Sequence, residues 1–130
     1  MSQSGLVKAF NDHFSEFVDD VQRVFPDDVD IMTAKNSILL ARKTNPRILV
    51  RIWKHFIVSK YQDVIEAGNL DFFIHKDYSQ DLTQMEYADK IMEAIDRLRI
   101  PIKNMNPADQ QISMKYIQNL TKISLLCTSV

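Results

Sequence analysis

Glycine is scarce in this sequence, which contains two glycines among 130 residues. Glycine readily adopts the positive φ angles that tight hairpins and β-bulges require, so its scarcity argues against a β-rich fold. Cysteine occurs once, as Cys127, which excludes a disulfide within the chain. The sequence is therefore not that of a secreted, disulfide-stabilised domain, since such domains depend on several paired cysteines.

Long uncharged stretches are also missing, and a membrane-spanning helix needs about 20 consecutive apolar residues. Residues 1–5 lack the basic and then apolar run of a secretory signal. Hydrophobic residues make up 45% of the chain and charged residues 25%, which is typical of a folded globule rather than a disordered chain. We expect one intracellular domain covering residues 1–130.

Motifs of catalytic and cofactor sites are absent too. The sequence contains no glycine-rich phosphate loop, no His-Glu-x-x-His and no nucleophile between glycines. His13, Glu16 and Asp20 border one side of the first predicted helix, but no histidine and carboxylate pair on another helix matches them as metal ligands. Cys127 has no evident activating partner. We therefore expect no enzymatic activity, no cofactor, no metal site and no small-molecule substrate.

Apolar residues recur at intervals of three and four along most of the chain, which predicts helices. The predicted helices cover residues 6–25, 27–43, 46–67, 83–100 and 107–126. Pro26 and Pro101 mark the ends of the first and fourth helices, and Gly68 suits the left-handed residue that closes the third. Asn45 and Asn106 each precede a proline, which is typical of a helix start because asparagine caps free amides and proline tolerates the first position.

The third predicted helix is apolar over more than half of its circumference. Its apolar residues are Ile48, Leu49, Val50, Ile52, Trp53, Phe56 and Ile57. Such a helix packs against several neighbours, so we place it at the centre of the bundle and allow for a kink along its length. An aromatic connector over residues 70–82 leads to a capping box at Thr83 and Glu86. The predicted fold is an all-α, single-domain bundle of about five helices.

Charge is sorted into blocks along this nearly neutral chain. Residues 1–30 carry a net charge of −5, residues 31–62 of +7, residues 63–99 of −5 and residues 100–130 of +2. The basic block can pack beside its acidic neighbours inside the fold, or it can face an external partner. The sequence leaves both alternatives open.

Arg47, Arg51 and Lys54 fall within a narrow arc of the third predicted helix, opposite its apolar side. Together with the earlier basic residues of the block, they form a candidate binding surface for phosphates or for an acidic protein. Those earlier residues are Lys35, Arg42 and Lys43. Nucleic acid is the second choice of partner, because the pI near 6.3 lies well below the value above 9 expected of a dedicated binding domain.

The last predicted helix carries apolar residues on two faces. One face contains Ile112, Tyr116, Leu120, Ile123 and Leu126, and the other contains Met114, Ile117 and Leu125. If the helix is peripheral, the first face meets the core and the second becomes a candidate contact surface. If the helix is central, both faces are buried. We therefore add the second face to the basic surface as a candidate partner-binding surface.

An apolar and aromatic pattern in the middle of the chain resembles a known family. Residues 45–53 read Asn-Pro-Arg-Ile-Leu-Val-Arg-Ile-Trp, and Tyr61, Ile65, Gly68 and the aromatic run of residues 71–78 follow them. This pattern is similar to a small protein family of large DNA viruses that infect algae and protists, over roughly residues 10–82. The resemblance implies a small structural or assembly protein, such as a minor component of an icosahedral capsid, in the host cytoplasm and the virion. It carries over no site residues.

The expected function is that of a non-enzymatic interaction or assembly protein. It would bind protein partners, or further copies of itself, through the basic surface and the second face of the last helix, without inserting into a membrane. The alternative is a nucleic-acid-binding accessory protein that uses the stripe of Arg47, Arg51 and Lys54.

Overall fold

The structure, a computed structural model, describes residues 2–70 and 88–128 of the chain. Over these residues the regular structure is helical and contains no strand, which confirms the predicted all-α class. The helices are α1 (Gln3–Val24), α2 (Val29–Thr44), α3 (Ile48–Ile52), α4 (Ser59–Glu66), α5 (Ala88–Lys103) and α6 (Pro107–Leu126). A π-helical turn, Trp53–Val58, joins α3 to α4. Most of the predicted aromatic connector and the predicted capping box lie outside the described residues.

Three helices begin at a polar side chain that caps the free amides of the first turn. Ser2, Asp28 and Asn106 accept hydrogen bonds from backbone amides three residues further on, at 3.1, 3.1 and 2.8 Å. The predicted helix start at Asn106 is confirmed, with Pro107 in the first helical position. None of the helices in the described part of the chain is long and apolar enough to cross a membrane.

Residues 48–66, which comprise α3, the π-helical turn and α4, form one continuous helical run that we call the central helix. It contacts α1, α2, α5 and α6, so its predicted central position is confirmed. The predicted closing residue is also confirmed, because Gly68 has a φ of 76° and its amide donates to the Ile65 carbonyl at 2.9 Å. The start lies two residues later than predicted, although the Asn45 side chain does accept the Arg47 amide at 3.3 Å.

Trp53 lies at the point where the helices meet, and it is 1% exposed. Its indole ring packs edge-on against the rings of Phe10 and Phe14 from α1, with centroid distances of 6.3 and 5.7 Å. The indole Nε1 donates a hydrogen bond of 3.1 Å to Thr121 Oγ1 on α6. One side chain of the central helix therefore binds α1 by aromatic packing and α6 by a buried hydrogen bond.

Two antiparallel helix pairs enclose the central helix. In the first pair, Arg23 near the end of α1 lies 3.6 Å from Asp109 at the start of α6, and Gln3 donates to the Leu126 carbonyl at the opposite end. In the second pair, Arg97 of α5 contacts Asp30 at the start of α2 at 2.6 Å. Among the described helices, α2 and α5 share the most extensive contact, and the buried residues of α2 lie on one side of that helix.

Pro101 does not end the fourth helix as predicted, because α5 continues to Lys103 and Pro101 is buried within it. Proline removes one hydrogen bond of a helix, here the bond to the carbonyl four residues earlier. The next turn still closes, since the Asn104 amide donates to the carbonyls of Ile100 and Pro101 at 3.2 and 3.0 Å. Ile102, the next residue, is fully buried, and this burial stabilises the end of the helix.

The buried hydrogen bond between Trp53 and Thr121 gives the first testable prediction. Thr121→Val keeps the shape of the side chain but leaves the indole N–H unpaired, so we expect unfolding to become easier by about 1–3 kcal/mol. Urea unfolding measures the loss. Thr121→Ser, which keeps the hydroxyl, should lose less, and Thr121→Val should cost little in a Trp53→Phe background. An equal loss in both backgrounds would show that the hydrogen bond contributes nothing.

Candidate interaction surface

Part of the basic block forms contacts inside the fold. Lys35 Nζ lies 2.9 Å from the Asp19 carboxylate and donates to Gln22 at 3.0 Å. Arg42 donates to Ser15 at 3.2 Å and also forms an ion pair with Asp12. Lys35 and Arg42 therefore hold α2 against α1. These two residues bind acidic and polar neighbours within the fold, which is the first of the two alternatives for the basic block.

Asp12 is the acidic centre of this contact between helices. It accepts hydrogen bonds from Lys8 on its own helix, at 2.7 Å, and from Arg42 on α2. These two hydrogen bonds hold the pKa of the Asp12 carboxyl below its ordinary value. The carboxylate is partly exposed, so the pair orients the two helices more than it stabilises them.

Lys54 is also tied into the fold, in contrast to the prediction that it faces outward. Its ammonium donates a hydrogen bond of 2.7 Å to the carbonyl of Cys127, just beyond α6. The Cys127 side chain is fully buried, and this burial raises the pKa of its thiol. A thiol held in its neutral form is a poor nucleophile. The hydrogen bond from Lys54 to the Cys127 carbonyl caps the chain just after α6.

Lys43, Arg47 and Arg51 remain at the surface. Lys43 and Arg47 are exposed and Arg51 is half-buried. Arg47 lines an open cleft of about 470 Å³ between α1 and the turn before α3, together with Lys8 and Arg42. The structure thus brings two of the six predicted basic residues, Arg42 and Arg47, to one cleft and adds Lys8, which the sequence did not single out.

Asn11 forms the floor of this cleft and is 2% exposed. Its amide nitrogen donates to the Pro46 carbonyl at 2.8 Å, which fixes the turn before α3 against α1. Its side-chain oxygen is buried and has no hydrogen-bond partner among residues 2–70 and 88–128. Asn11 therefore anchors the turn that carries Arg47, while the cations of the cleft come from Lys8, Arg42 and Arg47.

The last helix is turned about its axis relative to the prediction. Met114 and Ile117, expected on the outward face, are 6% and 0% exposed, whereas Ile112 and Leu126, expected in the core, are exposed. Of the three residues proposed for the second contact surface, only Leu125 lies at the surface. The proposed second face of α6 is therefore wrong for Met114 and Ile117.

Small polar residues explain the error. Ser113, Thr121 and Ser124 occupy the buried face of α6, where Thr121 bonds to the Ile117 carbonyl and Ser124 to the Thr121 carbonyl at 2.9 and 2.7 Å. These bonds satisfy the hydroxyls, so the helix can bury them at little cost and approach the central helix closely. A pattern of hydrophobicity alone assigns such residues to the solvent side.

The strongest surface feature is one that the sequence analysis missed. Among the described residues, the exposed large apolar side chains are Val29, Met32, Leu39, Leu40, Ile100, Ile112, Leu125 and Leu126. Four of these eight lie on α2, and Val29 and Leu40 are 72% and 65% exposed. With Asn36 and Lys43 they fall within an arc of about 100° on the helix, opposite its buried residues.

We call these six residues the outer stripe of α2: Val29, Met32, Asn36, Leu39, Leu40 and Lys43. The signal for it is present in the sequence, because α2 has two interleaved apolar sets at helical spacing and only one can be buried by a peripheral helix. Leu40 also borders an apolar groove of about 330 Å³ between α2 and α5, which Ile48 and Ile91 line as well.

The predicted polar border of α1 has a structural role in the described fold. The His13 ring packs against Tyr116 with a centroid distance of 4.8 Å and a tilt of 41°, and its Nδ1 lies 3.6 Å from the Glu16 carboxylate. Across residues 2–70 and 88–128, no group of three or more histidine, cysteine or acidic side chains is arranged to hold a metal ion.

Comparisons with known proteins give no match, whether with family models, with curated proteins or with solved structures.

Burial of Ile117 and exposure of Leu125 give opposite expectations for the same substitution. Ile117→Asp places an unpaired carboxylate in the core and should lower the free energy of unfolding by several kcal/mol, a large share of about 5–15 kcal/mol for a typical domain. Leu125→Asp should leave the melting temperature nearly unchanged. Thermal unfolding followed by circular dichroism compares the two variants. An unchanged melting temperature for Ile117→Asp would contradict the orientation of α6.

Proposed function

We propose that this chain is a non-enzymatic interaction protein that docks into a larger assembly through the outer stripe of α2. The observation that carries the proposal is the concentration of exposed apolar side chains on that one helix, opposite its buried side. Contiguous apolar surface of this kind is costly in water and marks sites where another surface covers it. Scattered apolar residues would carry no such meaning.

The basic residues near the C-terminal end of α2 support the same proposal. Lys43 lies within the outer stripe, and Arg47 follows three residues after the helix ends. Charged residues at the rim of an apolar patch set the orientation and the rate of docking more than its affinity. Lys43 and Arg47 would therefore select a partner with acidic groups at the matching end.

The resemblance of the middle of the chain to a family of large DNA viruses suggests where such docking takes place. On that basis we propose a small structural component of a virus particle, such as a minor capsid protein. The outer stripe would then supply the apolar core of a contact with a neighbouring subunit.

A photoreactive amino acid placed on the outer stripe tests the proposed function. With p-benzoylphenylalanine at position 40, we expect covalent adducts with a protein when the tagged chain is irradiated in its native source. The same reagent at position 66 is the matched control, because Glu66 is exposed on α4, away from α2. Mass spectrometry identifies the adducts. Equal yields at both positions, or none at position 40, would contradict docking through α2.

A second candidate function follows from the cleft between α1 and the turn before α3. Lys8, Arg42 and Arg47 place three cations around an opening of about 470 Å³, with Lys43 exposed on the next residue of α2. Phosphate oxygens could bind there, which is the basis for a nucleic-acid-binding accessory protein. The pairing of Lys8 and Arg42 with Asp12 weakens this candidate, since Asp12 already neutralises part of that charge.

A mobility-shift titration with a short DNA duplex distinguishes the two candidates. If the cleft binds phosphates, affinity should fall steeply with salt, and Arg47→Gln should reduce the slope of log K against log salt by about 1. Lys60→Gln, a change at another exposed cation, is the control and should leave the slope unchanged. Absence of binding at low salt would eliminate the nucleic-acid candidate.

A further inference from the structure

We infer that the outer stripe of α2 binds the same stripe of a second copy of this chain, in antiparallel orientation, to form a twofold symmetric dimer. This inference rests on the proposed function and names the partner of the surface on which that function depends. It is carried by three observations: the spacing of the stripe, its symmetry about one residue, and the opposite charges at its two ends.

The spacing is that of a helix that packs along a second helix. Residues 29, 32, 36, 39 and 43 alternate steps of three and four, which keeps them on one line of the helix surface. Leu40 widens this line toward the groove between α2 and α5. The 16 residues of α2 give a seam about 24 Å long. Side chains on such a line interdigitate with an equivalent line, so the stripe suits a helical partner better than a flat one.

The stripe is also symmetric along its length. Asn36 lies seven residues after Val29 and seven before Lys43, with apolar side chains on either side of it. A twofold interface requires that a surface patch be complementary to itself after rotation about its own centre. A rotation axis close to Asn36 places each apolar half of the stripe on the apolar half of the other copy. The polar Asn36 side chain then lies near the axis, where a polar residue helps to specify register.

Charge decides between the antiparallel and the parallel orientation. Asp27 is exposed just before α2 and Lys43 is exposed near its end, and neither forms an ion pair with another residue of the described chain. In the antiparallel orientation, the end of the seam that Asp27 precedes lies at the same end of the dimer as Lys43 of the other copy, and the positive end of one helix dipole lies beside the negative end of the other. In the parallel orientation, like charges meet at both ends. Only the antiparallel dimer is therefore complementary.

The size of the seam sets the expected strength. One pair of helices of this length, with the adjoining groove, lies at the low end of the interface sizes that specific complexes use. We therefore expect a dissociation constant on the order of micromolar rather than nanomolar. Such a dimer forms readily at high local concentration, as in an assembling particle, and dissociates on dilution.

Sedimentation equilibrium of the purified full-length chain, from about 1 to 100 µM, tests the dimer directly. We expect the average mass to rise from that of a monomer to that of a dimer. Leu40→Glu should weaken association by at least about tenfold with no change in helix content, because the side chain is at the surface. Leu125→Glu, at the exposed position on α6, is the matched control and should still dimerise. Equal weakening by the two substitutions would overturn the assignment to α2.

A charge-reversal experiment tests the antiparallel orientation. Asp27→Lys and Lys43→Asp should each weaken self-association by about three- to tenfold, since each creates two like-charge contacts in the symmetric dimer. An equimolar mixture of the two variants should recover affinity, because both contacts across the mixed dimer then join opposite charges. The recovery should fade at high salt. If the mixture associates no better than either variant alone, the antiparallel pairing is wrong.

The outcomes also separate this inference from the proposed function. A chain that stays monomeric at 100 µM, yet forms adducts from position 40 with a different protein in its native source, would overturn the self-association and leave the interaction function standing. Adducts between two copies of the chain from position 40, with the expected change of mass in solution, would support both. Absence of dimer and of adducts alike would overturn both.

Discussion

The fold depends on the placement of one indole ring in the centre of the bundle. Trp53 joins the central helix to α1 through the rings of Phe10 and Phe14, and to α6 through a hydrogen bond to Thr121. Tryptophan serves this purpose because it combines a large apolar surface with one polar group that needs a partner when it is buried. A shift of α6 along or around its axis would leave that group unpaired. The indole therefore fixes the position of α6 as well as filling space.

The ion pairs between α1 and α2 hold these two helices together. The acidic residues of α1 bind Lys35 and Arg42 of α2, so part of the basic block is neutralised within the chain. Lys54 bonds to the Cys127 carbonyl and is also occupied. The segregation of charge along the sequence thus describes in large part how α1 and α2 recognise each other. The apolar outer stripe of α2, which no described residue of the chain needs for its own core, says more about external partners than the net charge of the segment does.

The sequence predicted those features that depend on local chemistry. Caps such as Asn106, the closing Gly68 and the central position of residues 48–66 follow from backbone preferences and apolar periodicity, and the structure confirms them. The orientation of α6 could not be predicted in this way. Hydrogen bonds within α6 satisfy the hydroxyls of Thr121 and Ser124 in the core, and Thr121 also accepts a hydrogen bond from Trp53, a residue nearly seventy positions away. The outer stripe was predictable in principle, since α2 shows two apolar sets, but periodicity does not say which set is buried.

The π-helical turn at Trp53–Val58 has a consequence for how this chain can change in evolution. A π-helical turn accommodates one more residue than an α-helical turn, and it keeps that residue without a break in the helix. A regular α-helix over the same number of residues would rotate everything beyond this stretch by about 100° relative to α3. Ile65, which is buried now, would then leave the core, and Trp53 and Ile65 could no longer face inward together. The irregular turn thus sets the phase between the two halves of the central helix, and sequence changes that convert it to a regular α-helix without loss of a residue would disrupt the core.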